Sequence, residues 1–240
     1  MSGDLRVLLA GDTALTLELG DVIDPKINAR VLALDRALAE TGLPGIVETV
    51  PTYRSLQVHY DPERLAASDL IAAARRLAHT LGERPPPGRS WRVPVAYGGE
   101  HGIDLEAVAA RTGLSAEQVV ARHLAGDYRV YMIGFAPGFA YLGGLDPVLH
   151  LPRRETPRLK TPAGTISIGG IQAAVASIEA PSGWHLLGRT PARAFDPARD
   201  EPFLFAVGDR IRFERISADD FATLSRRAEQ EGWRPAAVAT

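Results

Sequence analysis

Gly134, Phe135, Pro137, Gly138, Phe139 and Tyr141 stand in the run YMIGFAPGFAYLGG, residues 131–144, which places four aromatics and four glycines within fourteen residues. Glycine lets a backbone take positive φ or approach a ligand closely. Aromatic rings between glycines can wall a shallow pocket. A turn-rich β segment with core aromatics has the same composition. Further along, Arg153, Arg154, Arg158 and Lys160 sit in the proline-stiffened run PRRETPRLKTPAG, residues 152–164. A guanidinium grips a carboxylate or phosphate through two parallel bonds, and a lysine adds a point charge. Arg158 and Lys160, next to Pro-Ala-Gly, therefore suit a small anionic substrate. Arg153 and Arg154 read as solvated loop charges. Gln172 can both donate and accept, as the reading of an amide or lactam requires. Trp184 has the area to cover a flat ligand. A turn glutamine and a core tryptophan are the plainer readings. His185, next in the strand pattern, reads as solvent-facing.

Several chemistries are excluded. There is no cysteine, so disulfides, thiolate metal sites and a cysteine nucleophile are ruled out. The six histidines are scattered with none at helical metal-ligand spacing, and no metal site is expected. No phosphate loop, dinucleotide-binding glycine fingerprint or nucleophile elbow occurs. The formal net charge of −2 gives no electrostatic reason to expect nucleic acid or an anionic membrane as partner. No secretory leader is evident, and no apolar run approaches the ~20 residues that span a bilayer. A cytoplasmic protein is expected.

The elements that must position these residues fall into two halves. In the first, Leu5–Ala10, Ala14–Leu19, Ile46–Thr52 and Ser55–Tyr60 read as strands. Asp24-Pro25 signals a helix start, with Ile27, Val31, Leu34 and Leu38 on one face and Gly42 and Pro44 ending it. Asp61-Pro62-Glu63 reads as a second helix cap. The expectation is a small α+β sandwich over residues 1–82. A Pro-rich linker follows at 83–89. Residues 90–240 change texture. Trp91–Ala96 reads as a strand, Asp104–Arg111 and Ser115–Ala125 as short helices, and Ser115 and Gln118 have capping-box spacing. Short apolar pieces cut by Gly and Pro then indicate a closed or sandwiched β fold, with a terminal helix over Ala218–Gln230.

Four stretches in this order, VPVAYGGEHGIDLEAVA, YRVYMIGFAPGFAYLGGL, PRLKTPAGTISIGG and PSGWHLLGRTP, resemble the allophanate hydrolase subunit 1 family, which includes the B component of 5-oxoprolinase and the kinase inhibitor KipI. The resemblance is strongest from Trp91 to Phe213. It implies an α+β fold, with an N-terminal α+β domain followed by a cyclophilin-like β-barrel. It also implies two partners, an allophanate-hydrolase-subunit-2-like protein (the C component of 5-oxoprolinase) and a LamB/YcsF-type protein (its A component). Such a complex opens the 5-oxoproline lactam to glutamate with ATP, whose site is unplaced in this chain. Carried over, Gly134, Phe135, Pro137, Gly138, Phe139 and Tyr141 would form the pocket wall, and Arg158 and Lys160 would face a carboxylate or phosphate. Lys160 and Gln172 would be the catalytic pair, while Trp184 and Arg189 would close the site. Where relatives close to 5-oxoprolinase carry Asn-Gln-Thr-Gly-Ile-Tyr, this chain has Ile171-Gln172-Ala173-Ala174-Val175-Ala176. Two other roles are compatible with the resemblance. One is a carboxyltransferase-like module for urea or a related amide, and the other is a KipI-like inhibitor of a sensor histidine kinase.

Overall fold

The computed structural model describes residues 5–81 and 88–238. The chain divides into two compact units, Met1–Pro87 and Gly88–Thr240. Most of the proline-rich stretch expected to link two domains lies outside the described residues.

In the first unit, strands β1 (Arg6–Leu9), β2 (Ala14–Glu18), β3 (Ile46–Pro51) and β4 (Ser55–Tyr60) form an antiparallel sheet of order β1-β2-β4-β3. Helix α1 (Pro25–Thr41) starts where the residues dictate. Asp24 accepts from the amides of Lys26 at 2.7 Å and Ile27 at 3.3 Å, and Pro25 opens the first turn. It stops at Gly42, which takes the left-handed conformation and donates to Ala39 O. Leu15, Leu17, Leu56 and Val58 of the sheet bury against Val31, Leu34 and Leu38 of α1 and Leu70 and Ala74 of α2 (Ala67–Ala78). Asp61 does not cap α2. Its carboxylate accepts from Glu63 N in a turn, and α2 begins after Ala66 with no side-chain cap. Pro62 favours a turn as readily as a helix start, and here the turn wins.

The second unit is built on a closed barrel of seven strands. They are β5 (Ser90–Tyr97), β6 (Tyr128–Ile133), β7 (Ala140–Gly143), β9 (Thr165–Gly169), β10 (Gln172–Val175), β12 (His185–Arg189) and β13 (Arg210–Arg215). The order is β12-β9-β10-β7-β6-β13-β5, and β12 returns to β5 through Gly188↔Tyr97 and Arg189↔Ala96. A Cβ on Gly188 would lie 2.5 Å from Ala96 O, so only glycine lets the seam close this tightly. β13 runs parallel to β5, and the other pairings are antiparallel. Val93, Val95, Val130, Leu142, Ile166, Ile168, Val175, Leu187, Ile211 and Phe213 share one core, as expected where alternate residues fill a small barrel. Helices α3 (Leu105–Thr112) and α4 (Ala116–Leu124) add Val108, Val119 and Val120 to it. The Ser115–Gln118 capping box is formed in both directions.

Outside the barrel, β8 (Arg158–Thr161) and β11 (Ala180–Ser182) pair as a small two-stranded arm. The terminal helix α5 (Ala218–Gln230) packs against β5, and β14 (Ala237–Val238), which the periodicity does not foreshadow, pairs with β5 beyond it.

Candidate functional site

Side-chain alternation divides each barrel strand between the core and the outer face. On β7 and β10, Ala140, Leu142, Ala173 and Val175 point inward. Phe139, Ala174 and Ala176 instead cluster outside with Trp184, and Tyr141 packs against them. The register pairs Ala174 with Tyr141 on one side and Ser167 on the other, and pairs Gln172 with Gly169. The side chain of Gln172 therefore shares this outer face. Trp184 lies directly over Gly169. A Cβ there would meet the indole Cδ2 at 2.8 Å, so the glycine is what admits the ring.

The result is a small packed cluster on the outer face, in which Gly169, Ala174 and Ala176 are buried with Phe139 and Trp184 and Tyr141 packs against it. Ring centroids run from Phe135 to Phe139 at 5.6 Å, Phe139 to Tyr141 at 4.7 Å and Tyr141 to Trp184 at 5.9 Å. These are favourable edge and tilted contacts. The guanidinium carbon of Arg153 sits 5.3 Å from the Trp184 centroid. Burial raises the Tyr141 phenol above its ordinary pKa, and the nearby charge of Arg153 opposes that rise. This outer-face cluster thus carries the Tyr141 ring at its edge, the Gln172 amide on the same face and the Arg153 guanidinium beside Trp184.

The loop between β6 and β7 supplies the outermost ring. Gly134 N donates to Phe139 O at 3.2 Å and Phe139 N to Ala136 O at 3.1 Å, which tightens the turn. Phe135 has φ of 69°, in the left-handed region, and is 66% exposed. A bulky residue held there stores strain of order 1–3 kcal/mol, a pattern concentrated at functional sites. Pro137 is exposed on the same loop and Gly138 is buried.

The expected cations do not meet at this cluster. Arg158 donates from Nη1 to Asp104 Oδ2 at 2.9 Å and from Nη2 to Oδ1 at 2.6 Å. Asp104 also accepts from Arg154 at 3.3 Å and from Leu186 N at 2.8 Å. Burial pushes the Asp104 carboxyl upward. The hydrogen bonds from Arg158 and Leu186 and the charges of Arg158 and Arg154 outweigh it and hold the carboxyl below the usual range. Arg158 is therefore spent on a structural ion pair, which corrects its reading as a free anion grip. Lys160 faces Glu179 at 3.1 Å on the exposed arm, with 79% of its side chain accessible. Arg189 donates to Ala163 O and stacks on Phe221 rather than closing over Trp184. His185 is buried and its Nε2 lies 2.9 Å from Pro152 O, not in solvent, because the β8–β11 arm and its flanking loop cover that part of the sheet.

Arg153 and Asp104 are the residues that sequence reasoning passed over. Arg153 looks like any loop charge until Trp184 is placed beneath it. Asp104 looks like a helix cap, yet its side chain makes no cap bond. Among the described residues no group of three or more His, Asp or Glu side chains could hold a metal ion.

Comparison with known proteins adds four likenesses. Residues 5–205 match the family described as carboxyltransferase domain, subdomain C and D. Over 222 residues the chain is 38% identical to the 5-oxoprolinase B component of Bacillus subtilis (strain 168), covering 88% of this chain and 92% of that protein. Over 209 residues it is 43% identical to the 5-oxoprolinase B component of Escherichia coli O157:H7, covering 87% of this chain and 94% of that protein. The solved structure of TTHA0988 superposes with a TM-score of 0.75 at 38% identity, covering 85% of this chain. The present chain spans 40% of that longer one.

Proposed function

This chain belongs to the family of the carboxyltransferase domain, subdomain C and D, and from that membership we propose that it is the B component of an ATP-dependent 5-oxoprolinase. Its partners would be an allophanate-hydrolase-subunit-2-like protein (the C component) and a LamB/YcsF-type protein (the A component), with activity only in the assembled cytoplasmic complex. The observation that supports the reading is the outer face of β7 and β10, where Gln172 and Arg153 flank the packed cluster of Phe139, Tyr141 and Trp184. 5-Oxoproline is a flat lactam bearing one carboxylate. Gln172 can donate to the lactam oxygen and accept from its N–H, while Arg153 attracts the carboxylate. The rings exclude water from the reacting amide.

ATP supplies the driving force by converting the lactam oxygen into a phosphate leaving group. Water then adds to the activated ring carbon, the C–N bond opens to give the amine and an acyl phosphate, and a second water cleaves that acyl phosphate to glutamate and phosphate. This chain contributes position and charge. Lys160, on an open arm, acts only where a partner protein closes over it. Arg158 serves by holding that arm through Asp104.

The test is co-expression with the two partner components, followed by glutamate release from 5-oxoproline with and without ATP. ATP-dependent glutamate is expected, and a well-folded complex that releases none overturns the reading. The family's description favours one alternative, transfer of a carboxyl group to urea or a related amide. Biotin-dependent carboxylation of urea without glutamate formation would establish it.

A further inference from the structure

A second cleft, of about 330 Å3, lies between the Ala163-Gly164 turn, the segment from Arg189 to Pro197, and α5. It shares no residue with the aromatic cluster. Arg189 reaches it from the end of β12. Nε and Nη2 both donate to Ala163 O, at 3.3 and 3.2 Å, and the guanidinium lies over Phe221 at 5.4 Å. These contacts fix the head in place without neutralising it. Among the described residues no carboxylate comes within 4.0 Å of Arg189 to form an ion pair. Glu100 acts on Arg189 only through space, without an ion pair within 4.0 Å, and burial still lowers the guanidinium's pKa from its ordinary value, so an anion seated directly on the head is favoured.

Two further groups line the same cleft. Among the described residues the carboxylate within 4.0 Å of Arg193 is that of Asp196, at 3.9 Å, and Asp196 is more tightly held by Arg199 at 3.2 Å. Ser177 is 6% exposed, and its hydroxyl has no hydrogen-bond partner among the described residues. A buried hydroxyl left without a partner costs about 1–3 kcal/mol. Glu229 also lines the cleft, but it is exposed.

We propose that this cleft is a binding site for a small oxyanion, a carboxylate or a phosphate group, held by Arg189 and Arg193 with the Ser177 hydroxyl as a further donor. The observation is the juxtaposition of two guanidiniums that lack a close, uncommitted counter-ion with a buried, unpartnered hydroxyl in one cleft. A planar fork and a rotatable O–H match the oxygens of either group. The site needs neither the partner proteins nor the lactam reading of the aromatic face.

The test uses the full chain alone, with 1H–15N chemical shifts followed during titration with inorganic phosphate and, separately, with acetate, at matched chloride. Saturable shifts at the backbone of residues 163–164 and 189–193 are expected from at least one probe. Response to phosphate alone assigns a phosphoryl ligand, and response to acetate assigns a carboxylate; either supports the site. Arg189→Gln should weaken binding at least tenfold. Ser177→Ala should weaken it severalfold while leaving the melting temperature unchanged or raised, which a purely structural role would not do. The proposal is overturned if neither probe saturates, or if a folded Arg189→Gln or Ser177→Ala chain binds as tightly as the parent.

Discussion

Asp104 carries a buried carboxylate that three donors share: Arg158 through two bonds, Arg154, and the amide of Leu186. Its pKa in the folded chain lies below the unfolded value of about 3.9. Stability from this group is thus fully present above pH ~4 and is lost as pH falls through the folded pKa. Asp104→Asn should lower unfolding free energy by about 2–3 kcal/mol at neutral pH, read by urea denaturation, and should flatten the acid limb below pH ~4. His123 works in the opposite chemical sense. It is sealed between Tyr97, Tyr128 and Phe213, with Nδ1 2.8 Å from the Tyr97 hydroxyl, and burial pushes its pKa down to about 3. Below pH ~6.5 the unfolded chain takes up this proton and the folded chain does not. Stability should therefore fall by up to about 1.4 kcal/mol per pH unit from pH ~6.5 toward the folded pKa. Measured between pH 7.5 and 5.5, His123→Gln should show a shallower loss than the parent; equal slopes would sink the assignment. On the outer face, Gln172→Ala should reduce turnover of the proposed 5-oxoprolinase complex about 100-fold with an unaltered melting temperature.

At the scale of elements, the β6–β7 loop trades stability for a protruding ring. Phe135→Gly removes the side chain from a left-handed conformation that glycine adopts freely. It should raise stability by about 1 kcal/mol yet reduce turnover of the complex; a variant that is both more stable and fully active would show the strain to be idle. The barrel seam is the contrasting case. Gly188→Ala places a methyl against Ala96 O and should cost at least about 2 kcal/mol, with amide exchange rising along β12 and the facing end of β5. Caps and face periodicity make α1, α4 and α5 legible in the sequence, because they depend on neighbours three or four residues away. The Asp61 turn is not legible, since Asx turns and helix caps begin with the same residues.

For the whole molecule, each unit has a hydrophobic core of its own. Residues 88–240 expressed alone should therefore give a dispersed, cooperative unfolding unit, and residues 1–87 likewise; collapse of both fragments to aggregates would refute independent folding. The meeting of Gln172 and Trp184 with the aromatics of residues 131–144 is implied by the family resemblance alone, whereas local residue patterns suffice for the strand-rich second half and the capped helices. These follow from alternation and capping, which act within a few residues. Which cations are free is a matter of long-range contact. Asp104 and Arg158 are fifty-four residues apart in sequence, and nothing local foretells that one will neutralise the other while Arg153 comes to rest on Trp184. Charge pairing is settled by where barrel closure brings side chains together, and burial then makes an unpaired charge too costly to leave to chance.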